Sequence, residues 1–295
     1  MGIPGHIDET SWRVFEDVVD KANNRWWLWV FVGPDTVVFL VDPTRSTKVP
    51  SRHLGIDVEQ GSLKEGRRLL ISSDFFTVYQ ALSNVEGIDP LWCFAHIRRY
   101  FIRAGDAHKE LRNWATAWTS RIGMLYVAHR AVSESPVGSI EHAGATADFT
   151  NALLAIDTVR RAEASDETLH PAAAKVITTL DREWEGLSRH ESFPELPLDN
   201  NAAERALRNP VVMRKNCYGS GSVWAGELAA RVWTITATAE RALCNPLTYL
   251  CSYLDACAKN SGRPLSGKEL EAFFPWAATE DDLINWRAQL TGPAP

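Results

Sequence analysis

Two apolar runs, Arg25–Val32 and Thr36–Val41, are rich in Trp, Val and Phe and are separated by Gly33-Pro34-Asp35. Aromatic and β-branched residues suit a buried pleated surface, and Gly, Pro and Asp supply turn chemistry, so the pair reads as a hairpin. Ile3 to Glu9, weakened by Pro4 and Gly5, reads as a strand ahead of it. Ser51–Leu54 is short enough for a single helical turn. Arg68–Ser72 then predicts a fourth strand ending at Asp74, Phe76–Leu82 a helix, and Leu91–Ala95 a fifth strand. A basic helix follows through Ile97, Arg98, Arg99 and Arg103. Three antiparallel strands, then strands alternating with helices, predict an α/β sheet with flanking helices. In such sheets ligands gather at the carboxyl ends of strands. Asp74 sits at that end of its strand, and Asp8 is expected at the end of the first.

From residue 106 to residue 196 the pattern changes. Trp114, Trp118, Ile122 and Leu125 recur at helical spacing, as do Leu153, Ile156 and Val159, and then Val176, Leu180 and Trp184. The expectation is an all-helical insertion of three helices, with a linker through Ser133 to Thr146 and an exit at Pro194 and Pro197. Its tryptophans are read as core rather than as a base-stacking platform. From Asp199 the chain is helical again. Arg214 to Ser222 is expected as a polar loop, Glu227 to Leu243 as a helix, and Asn245-Pro246 as the N-cap and first position of a helix to Ala258. The tail carries a short helix near Ala278 to Leu290 and a flexible Gly-Pro-Ala-Pro end. The division expected is 1–105 and 197–260 as two parts of one core, 106–196 as the insertion and 261–295 as the tail.

The longest apolar run, Trp26 to Val32, is far short of the ~18 residues of a membrane span. The first residues lack a basic region followed by an apolar one, so a cytoplasmic protein with no membrane partner is expected. The five cysteines are scattered with no CxxC pair and are read as core thiols. A net charge of −6 argues against a protein that coats nucleic acid, since affinity for phosphates comes largely from Lys and Arg. It leaves room for a nuclease-type core that meets DNA through local basic patches and bound metal.

Chemistry concentrates in three places. In Leu198-Asp199-Asn200-Asn201-Ala202-Ala203-Glu204-Arg205-Ala206-Leu207-Arg208, Asn201 and Glu204 have capping-box spacing. Glu204 can therefore serve its own helix start, or pair with Arg208 one turn on. Local spacing favours that role; the other reading is that it joins Asp8 and Asp74 as three carboxylates on separate elements around metal. A pair of divalent cations about 3.5–4 Å apart activates an attacking oxygen and stabilises a leaving one in phosphoryl transfer. Mg²⁺ and Mn²⁺ favour carboxylate oxygens. The second place is Trp92-Cys93-Phe94-Ala95-His96-Ile97-Arg98-Arg99, where His96 is read as ending a strand. His96, Arg98 and Arg99 either contact phosphate or form a satisfied strand end and a solvated helix face. The third is Arg205, Arg208, Arg214 and Lys215 around Glu204, cations that a phosphodiester calls for and that surface pairing also explains. P-loop, dinucleotide-glycine, Gly-x-Ser-x-Gly and HExxH motifs are absent.

Taken in order, Asp8-Glu9-Thr10, Asp74 with Tyr79, Cys93-x-Ala95-His96-x-Arg98-Arg99, Asp199-Asn200-Asn201-x-Ala203-Glu204-Arg205-x-Leu207-Arg208 and Arg214-Lys215-Asn216 form an ordered set. That set resembles the transposases of the insertion-sequence-66 family, from about Ile7 to about Leu254. The resemblance implies a ribonuclease-H-like mixed sheet with an Asp-Asp-Glu triad, which falls on Asp8, Asp74 and Glu204. It implies two Mg²⁺ or Mn²⁺ ions, DNA (transposon ends and target) as partner, and action as a homo-oligomer. It implies hydrolysis at an element end, then attack of the freed 3′-hydroxyl on target DNA. Asp8 and Asp74 would hold the metals, Glu204 would complete the second site, and His96, Arg98, Arg99, Arg208, Arg214 and Lys215 would support or contact phosphate. Such transposases usually carry a DNA-binding segment and a cysteine-rich zinc module before the core. With Asp8 seven residues after Met1, this chain is expected to lack both and to rely on a separate end-binding protein. Two other readings stay open: a non-catalytic remnant that interferes with an intact transposase, and a metal-dependent nuclease without strand transfer. The loop continues as Cys217-Tyr218-Gly219, where the family pattern calls for a bulkier aromatic and aliphatic pair.

Overall fold

The computed structural model describes residues 2–287 except 20, 22, 58, 64 and 65. The chain is α/β and divides into two compact units. The first comprises Met1–Pro4 and Ser46–Asn201, and the second Gly5–Arg45 and Ala202–Pro295.

In the second unit, strands β1 (Ile3–Arg13), β2 (Arg25–Val32) and β3 (Val37–Asp42) form an antiparallel meander. The hairpin expected from the apolar runs is present. β1, however, runs well beyond Glu9, with His6 opposite Val32 and Arg13 opposite Arg25. Asp8 therefore lies within the strand rather than at its end. The reason is Trp12 and Val14, both buried against β2. One face of the meander, carrying Trp12, Leu28, Val30 and Phe39, packs against Ala203 and Leu207 of α8 (Asn201–Cys217) and Ala230 of α9 (Val223–Arg241).

Helix α9 lies along β3, and its threonines complete that strand's hydrogen bonding. Thr234 Oγ1 accepts the Phe39 N–H at 2.8 Å. Thr238 Oγ1 accepts the Val37 N–H and donates to the Val37 carbonyl, each at 3.1 Å. The four-residue spacing of the two threonines puts both hydroxyls on one face of the helix. Trp233 from the same helix packs edge-on against Trp12 at 5.3 Å. Helix α10 (Pro246–Lys259) begins as expected, with Asn245 Oδ1 accepting from Leu247 N and Thr248 N. The tail holds α11 (Gly267–Glu271) and α12 (Glu280–Arg287). Leu290 and the Gly-Pro-Ala-Pro end lie outside the described residues.

In the first unit, Ile3 N–H donates to the Arg68 carbonyl at 2.9 Å, where β6 (Leu69–Ser73) begins. β7 (Ile88–Trp92) pairs parallel to β6, with Leu69 opposite Ile88 and Ser73 opposite Trp92. Every residue of β6 is buried, as befits a strand in a parallel pair covered on both faces. Helix α1 spans Lys48–Leu54, longer than the single turn expected, and α2 spans Thr77–Leu82. A small hairpin of β4 (Ile56–Asp57) and β5 (Ser62–Leu63), too short to leave a pattern in the sequence, lies between α1 and β6. Strand β7 stops before Cys93, and α3 (Phe94–Ala107) starts at once. His96 therefore sits in the first turn of a helix and does not end a strand.

Helices α4 (Arg112–Glu134) and α6 (Pro171–Arg182) pack on α3, and α5 (Ile140–Ala164) packs on α4 and α6; the short α7 (Trp184–Ser188) follows. The linker expected over Ser133 to Thr146 shrinks to 135–139, because Ser139 caps α5 through the His142 N–H and the helix runs through the small residues after it. Trp118 is fully buried and stacked on Phe101 at 4.6 Å, so it is core as expected. Trp114 Nε1 and Trp118 Nε1 both donate to Glu163 Oε2, at 2.8 and 3.0 Å.

The segment after α8 departs from expectation as well. Arg214, Lys215, Asn216 and Cys217 are the last turn of that helix, and the loop is confined to 218–222. The loop is held back on β1: Ser220 N–H donates to the Arg13 carbonyl at 2.8 Å, and Phe15 N–H to the Ser220 carbonyl at 2.9 Å. A Cβ on Gly219 would stand 2.3 Å from the Arg13 carbonyl oxygen. Gly219→Ala is expected to destabilise the fold by about 1–3 kcal/mol, the usual range for overpacking. Urea unfolding of the two proteins checks this, and an unchanged midpoint would show that the loop does not need that approach.

Candidate functional site

In the first unit three stretches far apart in sequence meet. Phe94 N–H, at the start of α3, donates to the Leu198 carbonyl at 2.9 Å. Asn200 N–H donates to Cys93 Sγ at 3.3 Å. Ser72 Oγ, two residues before Asp74, donates to the Asp199 carbonyl at 3.4 Å. Asn200 is buried, as is Cys93. The strand end that carries Asp74, the Cys93-to-Arg99 motif and the Asp199-Asn200-Asn201 motif thus form one cluster.

Asp74 is half-buried one residue past β6, and its Oδ1 accepts the Phe76 N–H at 2.9 Å. Asp199 Oδ1 accepts the Asn201 N–H at 3.1 Å, at the start of α8. Burial, opposed by backbone donors from Asn200, His96 and Ala95, pushes the Cys93 thiol up to about 11. Tyr126, on α4, has its hydroxyl buried near Asp199, and burial first and that carboxylate second push its pKa well above the usual phenol value. Arg98 and Arg99 are exposed and line, with Tyr126, Arg130 and Asp199, a groove of about 510 Å³. Tyr126 and Arg130 escape sequence reasoning because they sit in a helix whose visible signal is its apolar stripe.

In the second unit Asp8 is half-buried in β1 opposite Val30, and its Oδ1 accepts the Glu9 N–H at 2.8 Å. Directly opposed residues of an antiparallel pair point to the same face. Asp8 therefore shares the face of Val30 and Trp12, the one on which α8 packs. Glu204, half-buried, is next to Ala203 and one turn before Leu207, both of which pack on that face. Arg208 and Lys215 are exposed on α8. Arg214 reaches back to β1: its Nη1 donates to Thr10 Oγ1 at 3.0 Å and also to the Ser11 carbonyl. The neighbouring Glu9 is buried and accepts from Arg45 Nε at 2.6 Å, with the Arg45 guanidinium 4.6 Å over the Trp27 ring. Nothing in the spacing of residues 9 and 45 advertises that pair.

Of the five cysteines, Cys93 and Cys244 are buried, Cys251 and Cys257 half-buried and Cys217 exposed, so the core reading does not hold for Cys217. Among the described residues, one group of metal-ligand type comes together: His108, Glu110 and His170. His170 Nδ1 accepts the Ala172 N–H at 3.1 Å and caps α6. A neutral ring used that way carries its proton on Nε2, which faces Glu110 Oε1 at 3.4 Å. The His170 ring is thereby committed to capping α6.

Residues 5–228 match the family model described as Transposase IS66 family. The chain belongs to that family. A relative from Sinorhizobium fredii, titled "Uncharacterized protein y4hP", is 22% identical over 261 residues, covering 83% of this chain and 44% of that protein. The chain thus spans less than half the length of that relative. No solved structure matches it. No described helix is long and apolar enough to cross a membrane.

Two outcomes follow from this geometry. Cys93 is held as the neutral thiol while an unfolded thiol ionises near 9, so the unfolded chain binds fewer protons above that pH and stability falls as pH rises from about 9 toward about 11. Thermal melts across that window should show a steeper loss in the parent than in Cys93→Ala. Arg214→Ala should cost about 1.5–3 kcal/mol, the range for hydrogen bonds to a charged group, and urea unfolding would read it.

Proposed function

We propose that this chain is the catalytic core of a DNA transposase, cutting phosphodiesters at element ends and joining the freed 3′-hydroxyl to target DNA in a ribonuclease-H-like fold. The observation that carries the reading is the meeting, within the first unit, of the Asp74 strand end, the Cys93 motif and the Asp199-Asn200 segment. Four further features support it: family membership, the antiparallel meander followed by parallel strands, the shared face of Asp8 and α8, and the order of the motifs.

Asp8, Asp74 and Glu204 would act as the triad. Their chemistry fits a hard divalent cation: three half-buried carboxylates, with one oxygen of each aspartate oriented by a neighbouring backbone N–H. Two Mg²⁺ or Mn²⁺ ions would supply Lewis-acid activation of the phosphodiester when bound. Arg98, Arg99, Arg208 and Lys215 would bind and orient phosphates through their charge, and His96 would support the cluster from the first turn of α3. Arg214, tied to Thr10 and Ser11, would hold α8 in place against the strand of Asp8. In this reading residues 1–105 and 197–260 make the core, 106–196 an insertion and 261–295 a tail. The partners are DNA, a second copy of the chain and a separate end-binding protein.

The test is cleavage of a labelled duplex carrying an element end, in Mn²⁺. Asp74→Asn and Glu204→Gln should each lower the rate by about a thousandfold, equivalent to about 4 kcal/mol of transition-state stabilisation, with unfolding midpoints near the parent's. Full metal-dependent cleavage by Asp74→Asn would overturn the mechanism. Joining assays on pre-cleaved ends separate a transposase from a nuclease that stops at hydrolysis.

A further inference from the structure

Helices α3 and α6 of the first unit border a groove of about 560 Å³ that the proposed chemistry does not use. Its lining combines two features. Buried Ala104 and Val176 give it an apolar floor, to which Tyr100 adds an aromatic ring. Exposed Arg103, Lys175 and Arg182 give it a cationic rim, and no carboxylate lines it. Arg182 is offset by Glu183, which accepts from its Nε at 2.6 Å. Arg103 and Lys175 make no ion pair with another described residue. In a chain of net charge −6 this is a local excess of positive charge. The Arg98 and Arg99 groove lies on the same helix α3, so that helix carries cations into both.

An apolar floor with an aromatic ring, edged by cations, matches the physics of sequence-tolerant single-strand binding. Bases have flat apolar faces to lay on such a floor, and the backbone brings a negative charge per nucleotide to the rim. A double helix cannot enter a cleft of this volume, whereas a nucleotide or two can. An acidic polypeptide would satisfy the cations but would leave the floor without flat partners.

We propose that the α3–α6 groove binds a single-stranded stretch of DNA, with bases against the floor and phosphates on Arg103, Lys175 and Arg182. The choice of DNA rests on the reading of the chain as a transposase core. The experiment uses the full chain in EDTA, so that no cleavage runs, and follows fluorescence anisotropy of labelled oligothymidylate and of a duplex of equal length. Arg103→Glu with Lys175→Glu should weaken oligothymidylate binding at least about tenfold. The slope of log affinity against log salt should flatten by about 1.4, two contacts at about 0.7 each for single strands. Duplex affinity should change far less. Arg103→Gln with Lys175→Gln, checked by circular dichroism, gives the same reading if the charge reversal impairs folding. Unchanged oligothymidylate affinity and salt slope in a folded double variant would overturn the proposal. So would displacement of the oligonucleotide by polyglutamate as effective as by unlabelled oligothymidylate. Metal-dependent duplex cleavage by the same double variant reads the transposase mechanism separately, so failure of one is distinguishable from failure of the other.

Discussion

The donation from Phe94 N–H to the Leu198 carbonyl closes a loop of about a hundred residues, and the cluster around Asp74 depends on it. The elements between those two residues are all helices, and loop-closure entropy opposes bringing such distant points together. The closure is held at more than one point. Asn200 N–H donates to the Cys93 thiol, and Ser72 Oγ to the Asp199 carbonyl. A buried backbone N–H without a partner is costly, so these contacts leave the returning chain little freedom of register. The packing of α3, α4, α5 and α6 around Phe101, Trp118 and Phe149 supplies the apolar burial that offsets the closure.

A comparable arrangement governs the second unit. Helix α8 is anchored near its start by Ala203 and Leu207 on the meander and near its end by Arg214 on Thr10 and Ser11. Two anchors about two turns apart, on either side of Pro210, fix both the position of the helix and its rotation about its axis. The rotation matters because Glu204 lies on the flank between the buried stripe and the exposed arginines. A change of one residue in the helical phase would move its carboxylate by about 100° around the axis.

How much of this was legible in the sequence varied with the kind of signal. β2 could be read to the residue, because a run such as Trp26–Val32 suits a strand buried on both faces. The start of α10 was equally clear, since Asn245-Pro246 combines an N-cap oxygen with a residue that needs no donor. The β7–α3 boundary was misplaced because Cys93, Phe94 and Ala95 are apolar and small enough for either conformation, and periodicity does not separate a short buried strand from a buried helix start. The last turn of α8 was hidden for another reason: Arg214-Lys215-Asn216 has a loop's polarity, and the contact with Thr10 that accounts for Arg214 there is some two hundred residues away in sequence. For the candidate site, local spacing left Glu204 as a helix cap, and it was the order of the motifs and the family they resemble that singled out Asp8, Asp74 and Glu204 together. Tyr126, Arg130 and the thiol contact of Asn200 required the fold.

The threonines of α9 have a consequence for assembly. A strand at the rim of a sheet usually offers its outward N–H and C=O groups to any extended chain that arrives. At β3 the Val37 N–H and carbonyl and the Phe39 N–H are occupied from within the same molecule by Thr234 and Thr238. At Val37 and Phe39 that margin is occupied against β-augmentation. A strand added along the Val37–Phe39 stretch would have to displace the α9 threonines first, which favours self-association on that side through helix surfaces.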